Sequence, residues 1–277
     1  MGEPVTVAKL IDTSTCIGCK ACEAACQEWN DHGFRISDFD GTYQTRPDLS
    51  HDFWNLIRFN ELDVDGGMAW HMAKYQCMHC VDPGCLRACP SPGAIVVREN
   101  GTVDFEDEHC IGCGYCMTGC PFDVPRRHPE SKKVYKCTLC SDRTAVGLEP
   151  ACVKACPTSC LTFGRREDLL AEAESRAQTL REDGFERAGV YNPEGVGGTN
   201  VFYVLARADR PEDYGLPRDP RIHWALRFWQ GPVKWLGGLL LLGTAIGAFF
   251  HYLRYGPKES GHAVENAVEP AVEPAQD

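Results

Sequence analysis

The sequence predicts an α+β protein with two cysteine-rich modules and one C-terminal transmembrane helix. Sixteen of its 17 cysteines fall into four short runs, which indicates that the thiols of each run act together. Between the second and third runs, Asn100-Gly101 stands between β-rich flanks, which is a strong hairpin signal. The 19 residues 235–253 are uncharged and mostly apolar, a length sufficient to cross a bilayer.

The composition argues against several classes of protein. The formal net charge of −11 disfavours nucleic acid as a partner. The N-terminal stretch MGEPVTVAKLIDTSTC has no basic region, no apolar core and no twin arginine, so it predicts no export signal. Disulfide scaffolds of comparable cysteine density are short secreted chains, and an odd cysteine count leaves one thiol unpaired. We therefore expect most of the thiols to bind metal.

Each of the four runs contains four cysteines at short spacing. The first and third runs share the pattern C-x2-C-x2-C-x3-C, the second is C-x2-C-x4-C-x3-C, and the fourth is C-x2-C-x11-C-x3-C. A proline directly follows the last cysteine of the second, third and fourth runs. The runs are, in order, Cys16, Cys19, Cys22 and Cys26; Cys77, Cys80, Cys85 and Cys89; Cys110, Cys113, Cys116 and Cys120; and Cys137, Cys140, Cys152 and Cys156.

This spacing is typical of thiolates that bind [4Fe–4S] cubes. A C-x2-C-x2-C loop wraps around one cube, and the x3 step carries the fourth thiolate away, which in two-cluster bacterial ferredoxins ligates the other cluster. We therefore expect two bacterial-ferredoxin-like modules with four [4Fe-4S] clusters. Zinc sites are usually built from separated C-x2-C pairs, and only the fourth run leaves that alternative open.

The hairpin at Asn100-Gly101 predicts which runs share clusters. It folds the second and third runs back on each other, as in ferredoxins, so these two runs should share two cubes. The first and fourth runs are then left to pair, although they are distant in sequence. The length of the loops leaves open the other pairing, of the first run with the second and of the third with the fourth.

Several other residues near the runs carry weaker signals. Cys160 occupies, with a one-residue slip, the place of Ala94 at the start of a buried strand, so we expect a structural thiol. Every run already has four thiols, so we expect the nearby histidines to be structural or exposed; they are His51, His71, His79 and His109. The nearby basic residues either raise cluster potentials or are simply solvated charges; they are Lys20, Lys74, Arg87, Lys136, Arg143 and Lys154.

Two elements are predicted between and after the runs. FWNLIRFNEL and MAWHMAKYQ flank DVDGG and predict a second hairpin. A helix is predicted from Arg166 to Asp183, ended by Gly184, which we expect to pack across the cysteine modules. Its apolar face consists of Leu169, Leu170, Ala173, Ala177 and Leu180.

The stretch EGVGGTNVFYVL does not predict a nucleotide site. Its glycines precede a strand, whereas the dinucleotide fingerprint needs glycines that follow a strand and open a helix.

The C-terminal apolar run predicts a membrane anchor. Lys234 and Arg254 bound it, and a buried helix of a soluble protein is the alternative. Aromatic residues lie at or beyond its ends, as is typical of membrane interfaces; they are Trp224, Trp229, Trp235, Tyr252 and Tyr255.

These observations predict the following division of the chain. It comprises residues 7–30 with 130–165 (module A, runs one and four), 31–74 (inserted hairpin region), 75–129 (module B, runs two and three), 166–230 (helix and strand packing segment), 231–255 (transmembrane helix) and 256–277 (disordered acidic tail).

Four one-electron carriers and a membrane anchor, with no substrate site in the sequence, suit conduction between a soluble redox enzyme and a membrane acceptor. The sequence resembles the iron–sulfur subunits of the molybdopterin oxidoreductase complexes, and within them the beta subunit of membrane-bound formate dehydrogenase of the N and O types. The resemblance covers roughly residues 8–257. It is carried by the four runs with stretches such as KLIDTSTCIGCKACEAACQEWND and CIGCGYCMTGCPFDVPR, by GVYNPEGVGGT and by the single C-terminal span.

The resemblance implies a non-catalytic electron-transfer subunit with two partners. A molybdopterin catalytic (alpha) subunit with molybdenum or tungsten would oxidise formate, and a haem b membrane (gamma) subunit would pass the electrons to quinone. The anchor at residues 231–255 would lie in the lipid bilayer. No nucleic acid or nucleotide is expected as a partner.

The resemblance also implies that paired runs exchange their last cysteines. Related nitrate reductases replace one cysteine by tryptophan, and no run here is short of a thiol. The implied ligands are Cys16, Cys19, Cys22 and Cys156 for cluster one; Cys137, Cys140, Cys152 and Cys26 for cluster two; Cys77, Cys80, Cys85 and Cys120 for cluster three; and Cys110, Cys113, Cys116 and Cys89 for cluster four.

The resemblance places the cluster domain on the periplasmic face of the bacterial inner membrane. The positive residues point the other way, since Arg218, Arg221, Arg227 and Lys234 precede the span and only Arg254 and Lys258 follow it. That rule weakens when a long folded domain precedes the span, so we expect the periplasmic side. Two other functions stay open. One is the same electron-transfer role in another respiratory complex, such as a hydrogenase or polysulfide reductase, and the other is that of a structural iron–sulfur protein without a redox role.

Overall fold

The computed structural model describes residues 5–33, 39, 41–64 and 67–256, and it divides into two units, Met1–Arg227 and Phe228–Asp277. Residues 65 and 66, at the predicted turn of the second hairpin, lie outside the described residues. So do residues 257–277, which include Lys258 and nearly all of the acidic tail that the sequence predicts to be disordered.

The first unit alternates short strands and short helices around the cysteine runs. Its strands are β1 Val7–Asp12, β2 Leu56–Val64, β3 Gly67–Tyr75, β4 Ile95–Val97, β5 Val103–Phe105, β6 Arg126–Arg127, β7 Val134–Tyr135, β8 Leu161–Arg165, β9 Gly189–Tyr191 and β10 Val201–Leu205. Its helices are α1 Ala21–Trp29, α2 Gly84–Ala88, α3 Tyr115–Thr118, α4 Ser141–Thr144, α5 Ala151–Lys154 and α6 Arg166–Glu182, with 3₁₀ turns at Thr13–Thr15, Asp107–His109, Glu194–Val196 and Pro211–Tyr214.

Four strands that are distant in sequence form the central sheet. Their order is β8-β1-β10-β9; β1 is parallel to β10 and antiparallel to β8, and β9 is antiparallel to β10. The inner strands β1 and β10 read VAKLID and VFYVL and are buried along almost their whole length. Strands covered on both faces are expected to be apolar throughout. The exceptions are Lys9 at the centre of β1 and Asp12 at its end.

The two faces of this sheet pack against different partners. On one face, Ala8, Leu10, Phe202 and Val204 form a core with α6. Because side chains alternate along a strand, the intervening residues of both strands face the opposite side, where they pack with the cysteines. This alternation directs the side chain of Lys9 toward the cysteine core.

The predicted helix is confirmed as α6, and Gly184 follows its last turn with φ of 99°. Four of the five predicted apolar residues are buried and Leu170 is partly buried. It packs on β1 and β8 of the predicted module A, and also on β9 and β10, and it covers the outer face of the sheet, opposite the cysteines. Both faces of the inner strands are apolar, so the outer face needs a cover of its own.

Both predicted hairpins are confirmed. β2 pairs antiparallel with β3, and β4 pairs antiparallel with β5. A third, very short hairpin, β6–β7, leads directly into the fourth cysteine run and was not evident from the sequence.

The short helices of the cysteine runs pack in pairs. α1 of the first run contacts α5 of the fourth, and α2 of the second run contacts α3 of the third. The contact between α2 and α3 depends on two glycines: a Cβ on Gly84 would lie 2.3 Å from the Gly119 carbonyl oxygen, and a Cβ on Gly119 would lie 2.5 Å from Ala88 Cβ.

The glycine-rich stretch between β9 and β10 runs along the second cysteine run. The amide of Val81 donates to Gly198 O (3.0 Å), that of Asp82 to Val196 O (2.8 Å), and that of Asn200 to His79 O (3.0 Å). Gly198 has φ of 86°, which favours glycine. The residues that failed to match a nucleotide fingerprint therefore hold a cysteine loop in place.

The C-terminal helix begins in α7 Trp224–Phe228, passes through a π-helical turn, Trp229–Val233, and continues as α8 Lys234–Tyr255. Pro232 lies in the π turn, as expected where an amide donor is missing. The 32 residues Trp224–Tyr255 are long and apolar enough to cross a membrane. None of this apolar stretch is buried within the chain, which disfavours a soluble core helix.

Candidate iron–sulfur sites

One small cavity lies between the first and fourth runs. Lys74 and Cys160 line it as well. Its four run cysteines are those expected for cluster one: Cys16, Cys19, Cys22 and Cys156.

A second small cavity lies between the second and third runs. Lys136 and Phe122 are among its lining residues. Its four cysteines are those expected for cluster three: Cys77, Cys80, Cys85 and Cys120.

The other eight cysteines fall into two further sets by their mutual electrostatic influence. The pKa of Cys26 is raised, first by burial and then by the charges of three cysteines of the fourth run, Cys137, Cys152 and Cys140. Burial, followed by Cys89, Cys110 and Cys113, raises the pKa of Cys116 to about 12. Each set contains three thiols of one run and the last thiol of the paired run.

The backbone of each run supplies a concave surface. In all four runs, the residue just before the second cysteine has a left-handed conformation, with φ of 64° at Gly18, 46° at His79, 72° at Gly112 and 57° at Leu139. Such turns direct successive N–H groups to one side, which is how backbone concavities bind anions and iron–sulfur clusters. His79 and Leu139 adopt this conformation without being glycine, and strain of this kind concentrates at functional sites.

The donor arrangement fits clusters rather than single ions. Within the described ranges, no three His, Cys, Asp or Glu side chains converge closely enough to bind one metal ion. Thiolates on the corners of an iron–sulfur cube lie farther apart than thiolates around one zinc ion. A zinc site in the fourth run therefore has no support in the geometry.

Hydrogen-bond donors approach several ligand sulfurs. The amides of His79 and Leu139 donate to Cys77 Sγ (3.5 Å) and Cys137 Sγ (3.4 Å). The side chain of Asn30 donates to Cys26 Sγ at 3.5 Å. Such bonds stabilise a negatively charged sulfur and favour reduction of a bound cluster.

Burial keeps most of the free thiols protonated. It raises the pKa of Cys22 to about 11 and that of Cys120 to about 11. Iron binding must therefore displace protons as each site is filled.

Three fully buried lysines lie among the ligands. Lys9, Lys74 and Lys136 are 0%, 1% and 3% exposed. The sequence drew attention to the last two, which stand near the runs, but Lys9 was missed. The available signal was a lysine at the centre of an otherwise apolar strand.

Cys160 lies beside two of the ligands expected for cluster one, which the sequence did not predict. It is buried before β8, as expected for a structural thiol, but its Sγ lies 3.7 Å from Cys156 Sγ. A hydrogen bond with Cys160 also lowers the pKa of Cys16 to about 6.

The histidines make structural contacts. His51 packs against His128, and His71 against Tyr214, with ring centroids 4.3 and 4.4 Å apart. His79 is fully buried, and its Nδ1 accepts a hydrogen bond from the Val103 amide at 3.1 Å.

The exposure of the ligands differs between the sites. Cys19 and Cys113 are exposed, and each follows an exposed isoleucine, Ile17 (60%) or Ile111 (67%). The eight cysteines of the sets expected for clusters two and three are all buried except Cys120, which is intermediate.

Three family models match the chain. Two describe a 4Fe-4S dicluster domain, at residues 15–94 and 68–166, and the third is named Formate dehydrogenase N, transmembrane, and matches residues 222–263.

Curated relatives match over most of the chain. The nitrate-inducible formate dehydrogenase iron-sulfur subunit of Escherichia coli K12 is 54% identical over 91% of this chain and 86% of its own length. The formate dehydrogenase-O iron-sulfur subunit of the same organism is 49% identical over 94% and 87%. Formate dehydrogenase 2 subunit beta (cytochrome c-553) of Nitratidesulfovibrio vulgaris is 34% identical over 71% and 92%.

Proposed function

The chain belongs to the family of formate dehydrogenase iron–sulfur subunits, and on that premise we propose that it carries electrons from a formate-oxidising subunit to a quinone-reducing membrane subunit. The observation that carries this function is the gathering of sixteen thiols into four sets inside one folded unit, in a chain with an apolar C-terminal helix.

The chain binds four [4Fe-4S] clusters in two ferredoxin-like dicluster domains and is anchored in a membrane by its C-terminal helix. Each bound cluster supplies a one-electron carrier. The protein contributes thiolates, inward-directed amides and a core that excludes water.

We assign the ligands by exchange of the last cysteine between paired runs. The two cavities and the packing of α1 on α5 and of α2 on α3 support this assignment. The mutual electrostatic influence of the other two sets supports it for clusters two and four.

The four sites form a row in the order one, two, three, four. Sites one and two share module A, and sites three and four share module B. The link between the modules runs from Cys137 of site two to Cys77 of site three, because these two thiols are close enough for their charges to interact. Exposed cysteines occur only at sites one and four among the ligands, which supports these sites as the ends of the wire.

We assign no catalytic step to this chain. The curated relatives are iron–sulfur subunits. This supports the assignment of formate oxidation to a separate molybdopterin subunit and of quinone reduction to a haem b membrane subunit. We place the cluster unit on the periplasmic face of the bacterial inner membrane.

Purification of the complex through a tag on this chain tests the function. We expect a molybdopterin subunit and a haem b subunit to co-purify, and formate to reduce quinone. Hydrogen-dependent or polysulfide-dependent turnover in place of formate-dependent turnover would contradict the proposal and favour the same wire in another respiratory complex.

A further inference from the structure

The lysines Lys9, Lys74 and Lys136 occupy an unusual environment for ammonium groups. Long basic side chains normally extend their charge to water, and an isolated buried charge costs several kcal/mol unless it is paired. All three are nevertheless buried beneath the surface of the first unit.

Lys74 lies between sites one and two. Its Nζ is buried, has no hydrogen-bond acceptor among the described residues, and belongs to a side chain that lines the cavity of site one. The thiols that lie close enough to act on it electrostatically belong to both sites; they are Cys22 of site one and Cys152, Cys26 and Cys137 of site two. The side chain therefore stands between two sites that clusters would fill.

Lys136 lies between sites two and three. Its Nζ donates to the carbonyl oxygens of Val103 and Cys137, and its side chain lines the cavity of site three. The thiols nearest to its charge belong to both sites; they are Cys77 and Cys85 of site three and Cys137 of site two.

Lys9 serves site two alone. The alternation of β1 turns it away from α6, and its Nζ donates to Gln76 Oε1 at 2.7 Å and to Cys152 Sγ at 3.5 Å. The Lys9 side chain therefore contacts a ligand sulfur directly.

Site two has the greatest need for positive charge. All four of its thiols are buried, and it lies between sites one and three in the proposed row. Reduction adds an electron to a site already surrounded by negative charge in a medium of low dielectric constant, where charges interact strongly.

We propose that Lys9, Lys74 and Lys136 are positioning residues that stabilise the reduced form of cluster two, and that Lys74 and Lys136 do the same for clusters one and three. This inference rests on the proposed function and on its ligand assignment. It predicts a pattern: loss of Lys9 affects cluster two, loss of Lys74 affects clusters one and two, and loss of Lys136 affects clusters two and three.

Redox titration of the purified complex by electron paramagnetic resonance tests this pattern. Each lysine is replaced by methionine, which keeps the chain length and removes the charge, and a Cys→Ser variant in each ligand set assigns the signals. At a fixed potential, each loss should lower the ratio of reduced to oxidised cluster two roughly tenfold, which for one electron corresponds to about 59 mV. Cluster four should keep its potential in all three variants.

Lys154→Met is the matched control, because Lys154 lies two residues after Cys152 but is exposed. Its charge is screened by water, so no potential should move. If Lys74→Met or Lys136→Met loses iron, Lys9→Met decides the question, because Lys9 lines neither cavity.

The possible results distinguish failure of the lysine role from failure of the proposed electron-transfer function. If the Lys9→Met complex holds four clusters and the potential of cluster two is unchanged, the role of the lysines is overturned. The proposed electron-transfer function is not affected by that result. Equal shifts in Lys154→Met would overturn the role of the lysines as well. Fewer than four clusters in the unsubstituted complex would instead contradict the proposed function.

Discussion

At the scale of single residues, burial and contacts do not separate the spare thiol, Cys160, from the ligand cysteines. Cys160 is as buried as the ligands, and its sulfur approaches Cys156. The run spacing nevertheless excludes it from the sixteen, because every set is complete without it.

The exchange of ligands between runs is tested by Cys120→Ser. We expect this change to damage the cube whose other ligands are Cys77, Cys80 and Cys85, because Cys120 lines their cavity. Iron analysis should give about 16 irons per unsubstituted chain, and resonance spectra should show the altered cluster. Damage confined to the cube on Cys110, Cys113 and Cys116 would refute the exchange.

Cys160→Ala is the companion to that variant. It removes a buried thiol beside Cys16 and Cys156 without removing a ligand, so all four cubes should remain. The iron content of the purified complex checks this, and loss of four irons would make Cys160 a ligand.

The residue scale was the most predictable from sequence. Ligand spacing is local, so the sixteen cysteines could be recognised from their runs. The burial of Lys9 depends on the pairing of β1 with β10, nearly two hundred residues later, and no local pattern reports it.

At the scale of elements, the helices of module B approach as closely as glycine permits. Gly84→Ala would place a Cβ 2.3 Å from the Gly119 carbonyl oxygen, so α2 and α3 would have to separate. Overpacking of this kind costs about 1–3 kcal/mol. We expect the visible cluster absorption of the complex to be lost at a lower temperature than in the unsubstituted complex.

Gly33→Ala is the control for that substitution, because a Cβ on Gly33 meets no atom within 4 Å. It should leave the temperature of cluster loss unchanged. Equal destabilisation by both variants would mean that the approach of α2 to α3 does not limit stability.

The anchor helix α8 offers one face of small residues. Gly243 and Gly247 stand four apart, and a Cβ on either would meet no atom of the described chain within 4 Å. Small residues at this spacing let helices approach closely in lipid. We expect Gly243→Leu with Gly247→Leu to reduce co-purification of the membrane subunit and formate-to-quinone turnover.

Formate oxidation by an artificial dye should survive that double substitution, because the dye withdraws electrons upstream of the anchor. Leucine inserts readily into membranes, so the helix itself should remain in the bilayer. Unchanged quinone turnover and co-purification would mean that α8 docks through another face or serves only as a tether.

Elements could be predicted from sequence only where their signals are local. The two hairpins and α6 followed from turn residues and helical periodicity. The parallel pairing of β1 with β10 joins two strands that are distant in sequence and that no turn connects. The surface on which α6 packs depends on this sheet, so it could not be predicted either. The division into modules A and B stays a prediction, because β9 and β10 of the packing segment share a sheet with β1 of module A.

At the scale of the whole molecule, sites one and four each present an isoleucine and a cysteine to solvent. Ile17→Glu and Ile111→Glu place a charge on these two faces without replacing a ligand cysteine. We expect each to weaken transfer to or from one partner subunit, because buried charge at an interface is costly. Formate-to-quinone turnover and subunit co-purification measure the effect.

Val146→Glu is the matched control for both variants, since Val146 is 72% exposed and lies within the fourth run, between Cys140 and Cys152, which are both buried. It should leave turnover unchanged. Full turnover in both isoleucine variants would remove these faces as docking surfaces.

The sheet order also dictates when this protein can mature during synthesis. In the proposed ligand assignment, site one needs Cys16 together with Cys156, and the strand β1 has no parallel neighbour until β10, residues 201–205, has been made. On that assignment, the first cysteine run cannot be filled until most of the chain has left the ribosome. The ligands proposed for sites three and four all lie within residues 77–120, so these sites could be filled much earlier. In cells that delay translation or supply iron late, we therefore expect chains to accumulate in which sites three and four are filled before sites one and two.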